Sequence, residues 1–310
     1  MATTRFLTTG IVAGLAAAMV SCSSPEAPPA SWREQVLQAR AAREAELTKE
    51  DGWLSVAGLF FLEEGRSQVG SSPDSPIRLP EGTPAVAGQV AYDGARVVFE
   101  PAPGVEAALV GGDVVEGPTE LRPSDPDTGR AADRLRIGRV TLQVHRSGER
   151  VGIRLRDPEN PLRRTFTGMR WYEPSTEWRI TGTFVPFDEP EEVTIENTMG
   201  DLDTLVSPGV VEAEIAGTKV RLLPLLSGGR LWFVFSDETA ARGETYRTRF
   251  LYADMPKSGN EVVLDFNLAW NPPCAYNPYT TCPLPPPQNR LPVAITAGEL
   301  AYAGEKTPTE

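Results

Sequence analysis

Polar and charged side chains crowd toward the C-terminal end of this sequence more densely than ordinary strands require. Asp265 and Asn267 lie two residues apart and so share one face of a strand, and Arg247 and Arg249 share a face of the strand before it. A turn centred near Lys257 would set Arg249 opposite Asp265 and Arg247 opposite Asn267. Charged groups on strands this apolar are drawn partly out of water and demand partners. Asn271, Tyr276, Asn289, Arg290 and Glu299, from the proline-rich run that follows, supply further polar atoms. Two kinds of chemistry suit such a set. One is a pocket for a polar ligand. The other is acid/base work by Asp265 or Glu299, which in a glycosidase-like site needs two carboxyls facing across a cleft, roughly 5 to 9.5 Å apart. The same residues also describe a hydrogen-bond network that clamps the C-terminal loop to its sheet, and residue types alone leave these readings open.

Other chemistries are disfavoured by what is missing. The single histidine, His145, falls in Val140-Thr-Leu-Gln-Val-His, where Val140, Leu142 and Val144 point one way and Thr141, Gln143 and His145 the other. That alternation predicts a histidine on the wet face of a hairpin. Serine and cysteine hydrolases usually need a histidine base, and no Gly-x-Ser-x-Gly elbow is present. Asp125-Pro-Asp-Thr-Gly with Asp133, and Asp201-Leu-Asp203, hint at calcium loops. In the first, however, Gly129 and Arg130 stand where an oxygen ligand and a glycine belong, and no glutamate closes the loop. Both read as turns. A structural zinc site needs four ligands, and neither a glycine-rich phosphate loop nor a dinucleotide fingerprint occurs. No metal or cofactor is expected.

The elements that must hold the polar set are strands. Ser31-Trp-Arg-Glu34 reads as a capping box opening a helix to about Lys49, which Asp51-Gly52 ends, so that residues 31–51 form an N-terminal helical segment with Trp32, Val36, Leu47 and the alanines on its buried stripe. After Gly52 short apolar runs alternate with turn clusters. Asp157-Pro-Glu-Asn-Pro161 breaks this series and divides a first β part, 52–156, from a second, 162–302, with 303–310 as a tail. In the second part strands are predicted at Phe166–Tyr172, Trp178–Phe184, Glu192–Asn197, Val210–Ile215, Thr218–Leu225, Leu231–Asp237, Tyr246–Tyr252 and Glu261–Asn267. The expected fold is mainly β, an N-terminal helix followed by two antiparallel β-sandwich or barrel-like parts.

The N-terminus speaks to location. Arg5 precedes an apolar run, Ile11–Val20, of signal-peptide length and too short to span a bilayer comfortably. Met19-Val20-Ser21-Cys22 resembles the lipobox of bacterial lipoproteins, with Met19 where leucine is usual. The resemblance implies a signal peptide over 1–21, acylation of Cys22 and a Ser-, Pro- and Ala-rich tether over 22–30. Ser23 after the cysteine favours the outer membrane where one exists. The net charge of −12 repels phosphate backbones, so nucleic acid is not an expected partner. Export to an oxidising compartment leaves Cys274 and Cys282 as an even pair, expected to form a disulfide across the proline-rich loop.

Two resemblances follow from longer motifs. Gly65, Val69-Gly-Ser, Ile77-Arg-Leu-Pro, Val97-Val-Phe, Leu109-Val-Gly-Gly and Leu135-Arg-Ile-Gly-Arg-Val are similar in order to a forkhead-associated domain, which implies a β-sandwich. Ser71 follows Gly70 where phosphothreonine readers carry arginine, so phosphopeptide binding is not carried over. Gly52-Trp-Leu-Ser-Val-Ala-Gly-Leu, Asp237-Glu-Thr, Tyr246–Phe250, Leu264-Asp-Phe-Asn, Asn271-Pro-Pro-Cys-Ala-Tyr, Thr281-Cys-Pro-Leu-Pro-Pro, Asn289-Arg-Leu and Ala297-Gly-Glu resemble the family catalogued as domain of unknown function 1684, over about Trp32–Glu299. That family implies a fold extent and no chemistry. The expectation is a cell-envelope lipoprotein that binds a polar small molecule, glycan or protein without catalysis; the alternative is a hydrolase-type enzyme with a carboxylate-based site in the C-terminal part.

Overall fold

The computed structural model describes residues 31–125 and 128–306. The expected leader, Cys22, the tether and residues 307–310 lie outside the described residues. Within them strand outweighs helix, 42% to 15%, and no sheet closes into a barrel. Helix α1 (Trp32–Thr48) buries Trp32, Val36 and Leu47 as its periodicity predicts, but Arg40 takes the place expected of the alanines, and Ala39, Ala41, Ala42 and Ala45 are exposed. The capping box does not form. Ser31 sits at φ −87°, ψ 4°, outside the extended cap conformation, and its hydroxyl accepts from Gln35 Nε2 at 2.9 Å instead.

Ten strands make the first β part: β1 (Val56–Phe61), β2 (Gly65–Gly70), β3 (Ile77–Arg78), β4 (Gly88–Tyr92), β5 (Val97–Pro101), β6 (Ala107–Leu109), β7 (Thr119–Glu120), β8 (Arg134–Ile137), β9 (Val140–Ser147) and β10 (Arg150–Arg156). They form two five-stranded sheets, in the orders β1-β10-β9-β8-β6 and β3-β2-β4-β5-β7. Val140, Leu142 and Val144 of β9 and Ile153 and Leu155 of β10 share one core with Val69, Val90 and Phe99 from the other sheet. Period-two alternation is what turns one face of each sheet inward to make this sandwich.

Helix α2 (Pro161–Thr165) follows the break, with Asn160 Oδ1 accepting from the Leu162 N–H at 3.3 Å. Then come β11 (Arg179–Glu196), β12 (Leu202–Ile215), β13 (Thr218–Leu222), β14 (Leu225–Ser227), β15 (Arg230–Phe235), the short helix α3 (Glu238–Ala241), β16 (Arg249–Ala253) and β17 (Glu261–Asp265). The sheets β13-β12-β11-β17 and β14-β15-β16 enclose Phe184, Val211, Leu222, Phe233, Phe235 and Leu251, and Leu291, Val293 and Ile295 of the C-terminal loop complete that core.

Several strand expectations are corrected: Thr218–Leu225 breaks into β13 and β14, and Phe266–Leu268 forms a 3-10 turn, so that Asn267 does not share a strand face with Asp265. Phe166–Tyr172 is not a strand; Trp171 makes one isolated bridge, to Glu299. Trp178–Phe184 and Glu192–Asn197 are ends of the single strand β11, whose register against β12 shifts between Pro186 and Glu191. The irregular stretch, 187–190, takes in Pro190, which cannot donate to a ladder.

The histidine expectation also changes. His145 Nε2 hydrogen-bonds Thr281 Oγ1 at 2.9 Å, because the C-terminal loop covers the outer face of the β9/β10 hairpin. Burial, and then the Arg154 charge, push its pKa down to about 3, so the ring is neutral at physiological pH. Further ties cross the same junction: Asn277 Nδ2 donates to the Val56 and Trp53 carbonyls at 2.7 and 3.0 Å, and Asn197 Nδ2 donates to Ser147 Oγ at 2.8 Å.

Candidate functional site

The expected pairing of Arg249 with Asp265 and Arg247 with Asn267 does not occur. Strand β16 pairs with β15, whereas β17 crosses to the other sheet and pairs with β11, where Asp265 stands opposite Arg179. The segment between them carries the chain from one sheet to the other instead of making a hairpin. Arg247 is exposed, its guanidinium over the Tyr246 ring, and Arg290 is exposed too. Neither joins a polar pocket.

The remaining residues form three buried groups and one outlier. In the first, Arg249 is fully buried and ion-paired with Asp237, and it donates to the Ala297 and Ile295 carbonyls. Asp237 also accepts from the Thr239 N–H at 2.9 Å, capping α3. In the second, Trp32 Nε1 donates to Asp265 Oδ2 at 2.6 Å, and Asn267 Nδ2 donates to Asp265 Oδ1 at 2.8 Å and to the Ser175 carbonyl at 2.9 Å. Arg40 completes this group by donating to the Asn267 and Tyr172 carbonyls. In the third, Glu299 accepts from the Asn271 N–H at 2.8 Å, Asn271 Nδ2 at 2.9 Å and the Tyr276 hydroxyl. Asn289 stands apart, binding the Leu223 N–H and the Leu223 and Val234 carbonyls, so that it joins loop to sheet.

Glu299 is 1% exposed. Burial raises its carboxyl to about 8 against the opposing pull of the Asn271 donors and the Arg43 and Arg249 charges. A carboxyl held neutral near pH 7 is what a general acid needs. Yet Asp265 and Glu299 are both buried and committed to protein donors, and neither lines the cavities beside α1.

An open cleft lies beside the Glu299 group. Its walls include Trp171, Tyr252 and Trp270, with Arg40 and Arg43 from α1 above and Arg230 at the edge, around about 170 Å³. Trp171 and Glu299 are bridge partners, and the Glu299 N–H donates to the Ala269 carbonyl at 2.9 Å, so two walls are backbone neighbours of the buried carboxyl. Trp232, Tyr252 and Trp270 stack in sequence with interplanar angles of 9°. The Arg43 guanidinium stands 3.6 Å from the Trp270 ring centroid, a cation–π contact. Its Nε and Nη2 are closed off from solvent yet donate to nothing among the described residues. A wider cavity of about 640 Å³, bounded by α1 and the 169–174 segment, shares Arg40 and Trp171 with the cleft.

The sequence did carry a signal for these arginines. Positions 32, 36, 40, 43 and 47 trace one helical stripe, and a charge placed on an apolar stripe must have a partner or a purpose. Trp171 and Trp270 lay in runs read simply as a strand and as part of the proline-rich loop.

Cys274 and Cys282 stand as free thiols, not as the expected disulfide. The loop is held by other bonds: the Thr198 N–H donates to the Cys282 carbonyl at 2.9 Å, and the Leu284 N–H to the Glu196 carbonyl at 2.8 Å. The sulfurs are still neighbours. The Cys274 N–H donates to Cys282 Sγ at 3.3 Å, and the Tyr246 hydroxyl approaches Cys274 Sγ at 3.6 Å. A hydrogen bond from Cys282 holds the Cys274 thiol below its ordinary range, while that bond and burial push Cys282 up. Iodoacetamide labelling of the reduced protein should therefore modify Cys274 well before Cys282, read by peptide mass mapping; equal rates would contradict this asymmetry.

Fold and site together define a helix-strapped, all-β protein whose C-terminal loop is locked by buried polar groups beside an aromatic cleft. Residues 164–300 match the family described as Protein of unknown function (DUF1684), which supports the resemblance drawn from the C-terminal motifs. The motifs before residue 164 fall outside that match. The chain is also similar to an uncharacterized protein of Haloarcula marismortui solved by solution NMR, at 28% identity and a TM-score of 0.38, covering 46% of this chain and 80% of that one. No curated protein matches the chain.

Proposed function

We propose that this protein is an exported, lipid-anchored module of the cell envelope that binds a polar small molecule or glycan without transforming it. The observation that carries the reading is the contrast between the two parts of the site. Asp265 and Glu299 are sealed within hydrogen-bond networks that suit a clamp, whereas the adjacent cleft is open, aromatic-walled and lined by a guanidinium with unmatched donors. Stacked aromatics with a few polar groups are what a preformed small-molecule site requires. The hydrolase alternative draws only on the raised Glu299 carboxyl, and that group has neither an open face nor a facing carboxylate. Arg5, the apolar Ile11–Val20 run and Val20-Ser-Cys22 support export and anchoring.

In an oxidising compartment Cys274 and Cys282 would close into a disulfide, two protons and two electrons passing to a disulfide or quinone oxidant. A loop of this size stabilises by about 2.5 kcal/mol in the chain-entropy account. Protein matured in that compartment should lose about that much stability on reduction, seen in urea unfolding with and without dithiothreitol.

A thermal-shift and calorimetric screen of sugars, peptides and metabolites tests the binding role. A ligand should raise the melting temperature of the wild type, fail to do so for Trp270→Leu, and be recovered unchanged by mass spectrometry. Turnover that disappears in Glu299→Gln or Asp265→Asn would overturn the proposal. Cys22→Ala should leave the chain unprocessed or release it from membranes; unchanged size and fractionation would remove the anchoring half.

A further inference from the structure

We propose that the cleft between α1 and Trp270 selects a carboxylate carried on a flat, apolar-faced ring, such as a uronic sugar or an aromatic acid. This rests on the binding role of the cleft and specifies its ligand.

The argument is one of charge and shape. Three arginines border the cleft, but two of them are already used. Arg40 spends its donors on the Asn267 and Tyr172 carbonyls, and Arg230 Nε donates to Asp254 Oδ1 at 2.9 Å. Arg43 forms no ion pair. The acidic groups that face it are Glu46, which is paired with Lys49, and Glu299, whose carboxyl is held toward its neutral form by burial. Among the described residues neither Arg40 nor Arg43 forms an ion pair, and of the two it is Arg43 whose donors are also unmatched, on a protein whose net charge is −12. Burying a cation in this way is costly unless an acceptor completes it; Arg43 lines the cleft, so an acceptor comes from that side, and the side chain must turn to present Nε and Nη2, which solvent does not reach in this structure.

Unmatched guanidinium donors beside a second unpaired arginine call for an anion. The Arg43 guanidinium stands over the Trp270 ring, and a planar fork suits the two oxygens of a carboxylate. The ring requirement comes from the walls. Trp171, Tyr252 and Trp270 line about 170 Å³, each ring with an arginine guanidinium over it, below the range usual for drug-sized ligands, which leaves room for one ring and its substituents. Neutral sugars would meet the same walls but leave Arg43 unanswered.

Calorimetry and tryptophan fluorescence on the full folded chain, with paired probes, decide the matter. Glucuronate is compared with glucose, and benzoate with benzyl alcohol. At least one acid should bind about tenfold or more tightly than its neutral partner, the margin expected of a charge-assisted hydrogen bond. Arg43→Met, which keeps the stem over Trp270, should remove that preference while leaving the circular dichroism spectrum unchanged. Because the acid/neutral comparison is made on the wild type, the test stands even where Arg43→Met does not fold. Equal binding of acid and neutral probes overturns the carboxylate inference and leaves the cleft as a site. Binding of neither class, or binding that Trp270→Leu does not affect, overturns both this inference and the reading on which it rests.

Discussion

Arg249→Leu is expected to cost the fold about 3–5 kcal/mol, a large part of the stability of a protein of this kind. Both side chains of the Arg249–Asp237 pair are 0% exposed, so removing the cation leaves a carboxylate buried without its counter-charge. The loss extends beyond the pair. Arg249 also donates to the Ile295 and Ala297 carbonyls, and Asp237 accepts from the Ile295 N–H at 3.3 Å, so together they pin the tail that delivers Glu299. Replacing both partners should be gentler. Asp237→Asn with Arg249→Leu keeps an acceptor for the Thr239 N–H, which Asp237 now caps at 2.9 Å, and removes the stranded charge. The double variant is expected to unfold at a higher urea concentration than Arg249→Leu alone. A single-variant cost below about 1 kcal/mol would show that this pair is not what fastens the tail.

The stability contribution of Glu299 is expected to fall as pH rises. Its folded carboxyl is raised to about 8 from an ordinary value of 4.5, chiefly by burial. Below about pH 4.5 both folded and unfolded states hold the proton and the group contributes no pH dependence. Between there and about pH 8 only the folded state holds it, so the unfolded state binds fewer protons and stability declines with pH. Above about pH 8 both states have lost it and the decline levels off. At roughly 1.4 kcal/mol per pK unit, the full loss is on the order of 5 kcal/mol. Glu299→Gln cannot ionise. It gives up one acceptor to Asn271 or Tyr276 and starts less stable at acidic pH, but the difference between wild type and variant should narrow, and can reverse, between pH 5 and pH 8. A difference that stays constant or widens across that interval would refute the raised carboxyl.

Much of the fold could be read from periodicity alone. Val140, Leu142 and Val144 announced an inward face of β9, and Trp32, Val36 and Leu47 announced the buried stripe of α1, because side-chain direction within one element is a local property. Proline-bearing β11 was read as two strands, since a bulge that keeps one strand continuous depends on the partner across from it. The polar set was recognised as a set, yet its wiring was not. Asn271, Tyr276 and Glu299 do converge, and Asp265 and Asn267 do share a group, but Arg247 and Arg290 point to water.

What the sequence alone determined is therefore the inventory: a leader-like N-terminus, an all-β body behind one helix, and a C-terminal loop too rich in proline to hold itself by a ladder. What the tertiary structure decided is the pairing. Arg249 meets Asp237 rather than Asp265 because β16 and β17 belong to different sheets, and strand order is set by the burial of the whole chain rather than by spacing within a segment. Arg43 reaches Trp270 across more than two hundred residues only once α1 is strapped to the end of β17 by the Trp32–Asp265 bond. Long-range packing of that kind leaves no periodic trace, which is why the cleft becomes visible only in the folded chain.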